Sequence, residues 1–211
     1  MDFAAARARL IKQLSTEIRD NRVLAVMSRI PRELFIPDES IELAYEDRPL
    51  PIGWAQTISQ PFIIALMTQA LELTGEEKVL EVGTGSGYQA AILAELSRQV
   101  ITVERLPVLA ETARRILNML GFKNIEIHNA EDYLGWKSEA PYQAIIVTAG
   151  TPDIPHELLD QLETGGRMVI PVGLRNMQEL YKITKRKDKN RVQDLGPCRF
   201  VPLIGKGAWD E

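Results

Sequence analysis

The spacing of apolar residues in the first part of the chain is that of helices. Between residues 2 and 29, apolar side chains recur every three or four positions. One stripe is centred near Leu14 and a second, after the dipeptide "DN", near Val26. Pro31 follows, and proline cannot continue a helix. The pattern therefore predicts helix over residues 2–29.

In residues 31–61 the apolar positions follow neither the period of a helix nor that of a strand. The stretch contains five prolines, and a loop-rich segment of this length within a compact domain is usually functional or disordered. Its large apolar residues, among them Phe35, Tyr45 and Trp54, argue against disorder. We expect an ordered arm that lies over the rest of the domain and forms a wall or lid of its site.

Beyond residue 61, short apolar runs alternate with longer helical patterns, which is typical of a parallel, doubly wound α/β sheet. The predicted strands cover residues 78–82, 100–103, 125–128, 144–148 and 167–173. The predicted helices cover residues 62–73, 88–97, 106–120 and 155–162. Three further runs, at 179–185, 191–196 and 198–204, predict antiparallel strands that close one edge of the sheet.

The stretch "VLEVGTGSG" (Val79–Gly87) places three glycines directly after the first core strand. Each glycine costs roughly 0.5–1 kcal/mol in chain entropy, but glycines let the backbone approach a ligand, and a helix N-terminus offers free N–H groups. The spacing G-x-G-x-G differs from the dinucleotide fingerprint G-x-G-x-x-G. Glu104 ends the second core strand, where an acid accepts hydrogen bonds from ribose hydroxyls. The pattern therefore predicts a nucleoside site at this edge of the sheet.

The pattern of one acid before the glycine loop and another at the end of the second strand resembles that of the class I S-adenosylmethionine-dependent methyltransferases. Longer stretches, among them "TISQPFIIALMTQAL" and "IPHELLDQLETGGRMVIPVG", are similar to the protein-L-isoaspartate O-methyltransferases over nearly the whole chain. The resemblance implies a Rossmann-like methyltransferase sheet, mostly parallel, with antiparallel C-terminal edge strands and an N-terminal arm of helices and loops. It also implies methyl transfer from S-adenosylmethionine, which becomes S-adenosylhomocysteine, to the free carboxylate of L-isoaspartyl residues in damaged proteins and peptides.

The same resemblance implies roles for particular residues. Ser59, within "TISQP", matches the family's active-site serine. The positions that match its cofactor site are Ile58, Ser59, Glu81, Val82, Gly83, Thr84, Gly85, Gly87, Tyr88, Glu104, Arg105, Glu131 and Asp132. Those that match its acceptor site are Gln56, Thr57, Ile58, Ser59 and Val172. No metal is expected, and the alternative for Ser59 is a helix N-cap before Pro61.

This chain departs from the family pattern at two places. Members usually carry "GDG" where Ala130, Glu131 and Asp132 stand here, so the acid on the adenine amino group would be Glu131 or Asp132. An acid before the fourth core strand is replaced by Gln143, which is uncharged. These changes leave open a relative that methylates another acceptor, such as aspartates of a dedicated peptide or a small molecule. A scaffold protein that keeps the fold without the transfer is a third possibility.

The implied reaction needs no general base. A carboxylate with a pKa near ~3.5 is ionised at neutral pH, so catalysis would come from alignment and from exclusion of water. His128 is expected to be a polar residue at a strand end and His156 a surface residue at a helix start. Tyr88, directly after the glycine loop, is the aromatic residue best placed to stack on adenine. Trp54 and Tyr133 are expected in the core.

Length, charge and cysteine content indicate how many domains the chain has and which classes of partner it can bind. The chain has 211 residues, which fits one domain, with an arm at 1–60, a cofactor core at 61–173 and antiparallel strands at 174–211. Its net charge of −4 lacks the basic footprint of a nucleic-acid binder, and "KRKDKNR" (185–191) is expected to be a solvated hairpin tip. Cys198 is the single cysteine and is expected to be a small core or strand residue. We find no signal-peptide pattern and no apolar run of spanning length, so we expect a cytoplasmic monomer without a membrane partner.

Overall fold

A mostly parallel sheet organises residues 2–210, the part of the chain that the computed structural model describes. The helices are α1 (Phe3–Leu14), α2 (Asn21–Arg29), α3 (Pro61–Ala70), α4 (Tyr88–Ala94), α5 (Pro107–Met119) and α6 (His156–Gln161). The strands are β1 (Leu50–Gly53), β2 (Gln56–Ile58), β3 (Lys78–Val82), β4 (Gln99–Glu104), β5 (Ile125–Asn129), β6 (Tyr142–Val147), β7 (Leu162–Leu174), β8 (Met177–Thr184) and β9 (Arg191–Cys198). The predicted alternation of strands and helices is confirmed, with α3 and α4 each ending three residues earlier than expected.

The large sheet has seven strands in the order β5-β4-β3-β6-β7-β8-β9. The pairs from β5 to β7 are parallel, and β8 and β9 are antiparallel additions, as predicted. Four of the five residues of the central strand β3 are buried, and its Val79, Leu80 and Val82 belong to two different hydrophobic clusters, as expected for a strand covered on both faces. The chain moves outward from β3 through β4 to β5 and then returns to β6 on the other side of β3. This reversal opens a crevice at the carboxyl ends of β3 and β6, where α/β sheets bind ligands.

The helix predicted over residues 2–29 is in fact two helices. The hydroxyls of Ser15 and Thr16 donate to carbonyls of the last turn of α1, each at 2.8 Å, and so compete with continued helix. The Asp20 side chain then accepts the N–H of Arg22 and caps α2. Both helices bury apolar side chains in the same hydrophobic cluster as α4 and α5, so they belong to the core of the fold.

The segment at 31–61 is ordered, as expected, but it contains a hairpin that the sequence did not reveal. Strands β1 and β2 pair antiparallel through a turn at Trp54 and Ala55. Both turn residues have positive φ, 55° and 56°, a conformation that usually selects asparagine and glycine. The Trp54 side chain is 65% exposed, so its predicted core position is wrong.

The run at 198–204 is not a third antiparallel strand, and this prediction is wrong. Cys198 ends β9 half-buried, where burial raises the pKa of its thiol to about 12. The chain then turns back across the sheet. The Gly150 N–H donates to the Val201 carbonyl and the Leu203 N–H to the Gly150 carbonyl, each at 2.8 Å. These bonds bring the segment to the carboxyl end of β6.

The two outer strands of the large sheet are irregular or partly covered. In β9, Gly196 has a φ of 102° and Pro197 has no N–H, and the pairing with β8 shifts register there. In β5, the Arg114 guanidinium donates to the Ile127 carbonyl at 3.1 Å. The charged connection between β8 and β9 is exposed, as predicted for a hairpin tip. Within residues 2–210, no helix has the length and apolar character needed to cross a membrane.

Candidate active site

A cavity of about 650 Å³ lies at the carboxyl ends of β3, β4 and β6. This volume is in the range of small-molecule and cofactor sites. Its wall is formed by residues 56–59, 82–86, 103–106, 130–135, 148–149 and 201–206, with Ile64, Met67 and Gln89. The arm, the glycine loop and the C-terminal segment therefore meet around one space.

The glycine loop after β3 has no room for a side chain at Gly83. Gly83 has a φ of +101°, and a Cβ at this position would lie 2.4 Å from the Thr148 hydroxyl oxygen. That hydroxyl donates to the Gly83 carbonyl at 2.6 Å and so ties the loop to the end of β6. Gly85 also has a positive φ, +52°. At Gly83 and Gly85 the loop thus presents backbone to the cavity, as the glycine spacing predicts.

Glu104 is a carboxylate whose orientation is fixed by the backbone. One oxygen accepts the Gly85 N–H at 2.8 Å and the other accepts the Leu106 N–H at 2.9 Å. The residue is 7% exposed and lines the cavity. Each carboxylate oxygen can accept a second hydrogen bond, so the pair can bind two neighbouring hydroxyls. A ribose diol fits this arrangement, and the glycine loop beside it leaves space for a group attached to that ribose.

Glu81 lies behind the loop and does not line the cavity. It is fully buried; one oxygen accepts from the Thr102 hydroxyl at 2.6 Å, and the other has no hydrogen-bond partner. Thr102 in turn bonds the hydroxyl of Thr84, at 2.7 Å, and Thr84 does line the cavity. The prediction that Glu81 contacts the cofactor directly does not match its position, since Glu81 is joined to the cavity wall through Thr102 and Thr84.

The charge state of Glu81 gives a test on stability. Burial, with a smaller effect of the Glu104 charge, raises the pKa of Glu81 to about 8. The folded protein therefore binds a proton that the unfolded chain loses near its ordinary pKa of about 4.5, and stability falls as the pH rises from there through about 8. Glu81→Gln, which keeps an acceptor for Thr102, is expected to remove this loss.

The measurement is the melting temperature of wild type and Glu81→Gln at about pH 5 and pH 8.5. The melting temperature of Glu81→Gln, relative to that of wild type, is expected to rise as the pH rises. Glu111→Gln, on an exposed face of α5, is the matched control and should show no such change. A difference that stays constant with pH would contradict a protonated Glu81.

Ser59 lines the cavity and does not cap α3. The N-cap residue of α3 is Gln60, whose side chain makes no capping bond. The N–H of Phe62 donates instead to an Asp47 oxygen at 2.8 Å, and the Gln60 amide donates to the other oxygen at 3.2 Å. An acid of the arm therefore takes the capping role, which contradicts the alternative explanation of Ser59.

Besides Glu81, three of the expected site residues lie away from the cavity wall. Tyr88 is 2% exposed and its ring packs against Phe35, with the ring centres 5.4 Å apart, so stacking on adenine is ruled out. Gly87 is the N-cap of α4, where a Cβ would lie 3.1 Å from the Ala113 Cβ. Its absent side chain lets α4 and α5 pack closely. Val172, in β7, pairs with residues of β8 and is also outside the wall.

The remaining expected residues do meet in the cavity. These are Gln56, Thr57, Ile58, Ser59, Val82, Gly83, Thr84, Gly85, Glu104, Arg105, Glu131 and Asp132. Tyr133 joins them and is not a core residue; a hydrogen bond to Glu131 raises the pKa of its phenol. The wall formed by residues 201–206 was not predicted, because those residues reach the site through hydrogen bonds to residues distant in the sequence.

The comparison with known proteins agrees with this geometry. The family model of protein-L-isoaspartate(D-aspartate) O-methyltransferase matches residues 5–208. The chain belongs to this family. The protein-L-isoaspartate O-methyltransferase of Syntrophus aciditrophicus is 53% identical over 207 residues, covering 94% of this chain and 95% of the relative. That of Methanoculleus marisnigri is 54% identical over 192 residues, covering 91% and 87%.

Solved structures show the same fold. A protein-L-isoaspartate O-methyltransferase superposes with a TM-score of 0.85 at 28% identity, over 96% of this chain and 67% of the other. A putative isoaspartyl methyltransferase of Plasmodium falciparum, in complex with S-adenosyl-L-homocysteine, has a TM-score of 0.80 at 26% identity, over 92% of this chain and 96% of the other. The predicted Rossmann-like methyltransferase sheet is confirmed.

The departures from the isoaspartyl methyltransferase pattern differ in their distance from the site. Gln143 lies near the start of β6, where its side chain accepts the N–H of Lys78 at 2.9 Å. This is the amino end of the sheet, opposite the cavity, and Gln143 does not line the cavity. Glu131 and Asp132 line the cavity, and either acid is available to an adenine amino group.

Neither histidine of this family member lines the cavity, as predicted. His128 stacks on Trp136, with ring centres 4.1 Å apart. His156 is an exposed residue that begins α6. A general base from histidine is therefore not available at the site.

Proposed function

We propose that this chain transfers the methyl group of S-adenosylmethionine to the free carboxylate of L-isoaspartyl residues in damaged proteins and peptides. The observation that carries the proposal is the meeting, in one cavity, of the oriented Glu104 carboxylate, the bare glycine loop and Ser59 on the arm side. Glu104 and the glycine loop fit the cofactor. Ser59 belongs to a different wall of the cavity, where an acceptor can enter.

The cofactor end of the cavity is built from β3, β4 and the loop after β5. Glu104 would bind the ribose hydroxyls, the backbone of Gly83 and Gly85 would border the methionine part, and Glu131 or Asp132 would accept from the adenine amino group. Glu81 supports this wall through Thr102 and Thr84. When bound, S-adenosylmethionine supplies a methyl group on a positively charged sulfur, which is already activated for transfer.

The acceptor end needs groups that orient a carboxylate rather than a base. The hydroxyls of Ser59 and Thr57 would donate to the acceptor, and Gln56 would contact its backbone. Because the acceptor carboxylate is ionised at neutral pH, no proton has to be removed. The rate enhancement would then come mainly from holding the acceptor carboxylate in line with the methyl group, in a cavity that excludes water.

The product ester explains why such a transfer starts a repair. An ester carbonyl is a better electrophile than a carboxylate and carries methoxide, which can leave. The next backbone nitrogen therefore attacks the ester carbonyl, its proton and the methoxide leave as methanol, and a succinimide forms. Water then opens the succinimide partly to the normal aspartyl linkage. These steps require no residue of the enzyme.

We further propose that the segments 1–60, 61–173 and 174–211 form a single domain that acts as a cytoplasmic monomer, with damaged polypeptides as its partners. The shared hydrophobic cluster of α1, α2, α4 and α5 supports a single domain. The net charge of −4 argues against nucleic acid as a partner.

The decisive experiment uses two synthetic peptides that differ only in one isoaspartyl or aspartyl linkage. With labelled S-adenosylmethionine, base-labile label is expected on the isoaspartyl peptide alone. Label on both peptides would indicate a different acceptor preference. Label on neither peptide, with S-adenosylmethionine binding intact by calorimetry, would contradict the proposed acceptor and leave the cofactor site standing. Loss of binding as well would favour a scaffold protein.

A further inference from the structure

Arg32 is a fully buried cation that the proposed chemistry does not use. It belongs to the 3₁₀ turn at Arg32–Phe35, within the arm, and is 0% exposed. Its Nε donates to the Ala44 carbonyl at 2.9 Å, and its Nη2 donates to the Ser59 carbonyl at 2.8 Å. The guanidinium is thus bonded to the main chain of a residue of the acceptor wall and does not itself line the cavity.

The same guanidinium contacts the cofactor side of the fold. Its central carbon lies 5.1 Å from the centre of the Tyr88 ring, which begins α4 directly after the glycine loop. One side chain therefore joins the segment that carries Ser59 to the helix that follows the loop. This contact also accounts for the position of Tyr88 outside the cavity.

The positive charge of Arg32 is not matched by a bonded carboxylate among residues 2–210. Its Nη1 is buried without a hydrogen-bond partner, and the bonds that it does form are to neutral carbonyls. Burial lowers the pKa of Arg32 to about 10, which leaves the group charged at neutral pH. An unpaired buried charge is expensive to maintain. If this position had a purely structural role, a neutral side chain would fill it at a lower cost in folding free energy.

We propose that Arg32 is a positioning residue for methyl transfer, which fixes the main chain of Ser59 and places a positive charge behind the acceptor site that favours an ionised acceptor carboxylate. The inference rests on the proposed function. It assigns to the arm an electrostatic role in addition to its role as a wall.

Other titratable groups near Arg32 do not provide the same effect. Those that face it are Tyr45, Asp47 and Tyr88. Burial raises the pKa of both phenols, that of Tyr88 to about 12, so they stay neutral in the working range. The Asp47 charge is engaged with the N–H of Phe62 at the start of α3. The charged residues on the cavity wall are Glu104, Arg105, Glu131, Asp132 and Lys206, and they are unchanged in the variants below.

Two variants separate the charge of Arg32 from its geometry. Arg32→Lys keeps a positive charge but cannot span both carbonyls with a rigid fork, whereas Arg32→Met removes the charge and the donors. In both, kcat for an isoaspartyl peptide is expected to fall at least about tenfold, because the acceptor is misaligned. In Arg32→Met alone, the acid limb of kcat is expected to move to higher pH by about one unit, because the bound carboxylate loses a nearby cation.

Arg29→Met is the matched control, since Arg29 is an exposed residue of the neighbouring helix paired with Glu95, and it should leave kcat and its pH profile unchanged. The affinity of both Arg32 variants for S-adenosylmethionine should stay within about twofold of wild type, which would show that they fold. An acid limb of Arg32→Met that coincides with that of wild type would overturn the electrostatic role. An unchanged kcat would overturn the positioning role.

A measurement on the wild type covers the case in which Arg32→Met does not fold. An isoaspartyl peptide with a ¹³C-labelled free carboxylate is titrated by NMR, free and bound to enzyme with S-adenosylhomocysteine. The pKa of the bound carboxylate is expected to lie below that of the free peptide, and an equal or higher value would overturn the inference. If wild type does not methylate the isoaspartyl peptide at all, the proposed function fails instead, so the two failures are distinguishable.

Discussion

Replacing Glu104 with alanine is expected to weaken S-adenosylmethionine binding by about 1.5–3 kcal/mol, the usual contribution of hydrogen bonds to a charged group. The carboxylate is held by the N–H groups of Gly85 and Leu106, so it is already oriented before a ligand binds. Glu104→Gln should also weaken binding, since its amide nitrogen would face one of those two donors. Calorimetric titration with S-adenosylmethionine measures both effects.

Glu126→Ala is the matched control for the Glu104 variants. Glu126 is an exposed acid on the neighbouring strand β5; it accepts from the Gln99 amide at 2.8 Å and lies 3.9 Å from the His128 Nε2. Its loss is expected to leave cofactor affinity unchanged. If Glu104→Ala binds S-adenosylmethionine as tightly as wild type does, the ribose contact proposed for this acid is wrong.

The second large effect is expected for Ser59→Ala, which should lower kcat by about 100-fold or more while cofactor affinity stays within about twofold. A hydroxyl that orients a reacting oxygen contributes on the scale of an oxyanion-hole donor. The hydroxyl is free for this task because Asp47, not Ser59, caps α3. Rates of methyl transfer at saturating S-adenosylmethionine, together with calorimetry, separate turnover from binding.

Ser28→Ala provides the comparison for Ser59→Ala. Ser28 lies on α2 and its hydroxyl donates to the Ala25 carbonyl, away from the cavity. This variant should retain both activity and binding. Rates of Ser59→Ala equal to those of wild type would remove Ser59 from the acceptor site, and a parallel loss of cofactor binding would show that it supports the whole cavity.

The parts of the site that depend on strand ends were predictable from the sequence. Gly83, Gly85 and Glu104 follow buried strands, and parallel topology alone brings the carboxyl ends of those strands together. Tyr88 is as close to the loop in sequence but belongs to the first turn of α4. Each helical residue points about 100° away from the previous one, and the ring faces Phe35 in the core.

The arm and the C-terminal segment were less predictable because distant contacts decide their course. The turn at Trp54 and Ala55 lacks the asparagine and glycine by which hairpins are recognised. Asp47 caps a helix that begins fourteen residues later in the sequence, at Pro61. Residues 201–206 reach the cavity only because Gly150 bonds both Val201 and Leu203.

The irregular outer strands of the sheet affect how this enzyme interacts with unfolded polypeptides. A sheet edge with free N–H and C=O groups is a template for aggregation, above all with unfolded chains. Isoaspartyl damage is proposed to bring this protein into contact with aged and loosened polypeptides. Pro197 and Gly196 break the hydrogen-bonding row of β9, and Arg114 occupies a carbonyl of β5. Both features disfavour the pairing of exposed strands of such polypeptides with the edges of this sheet.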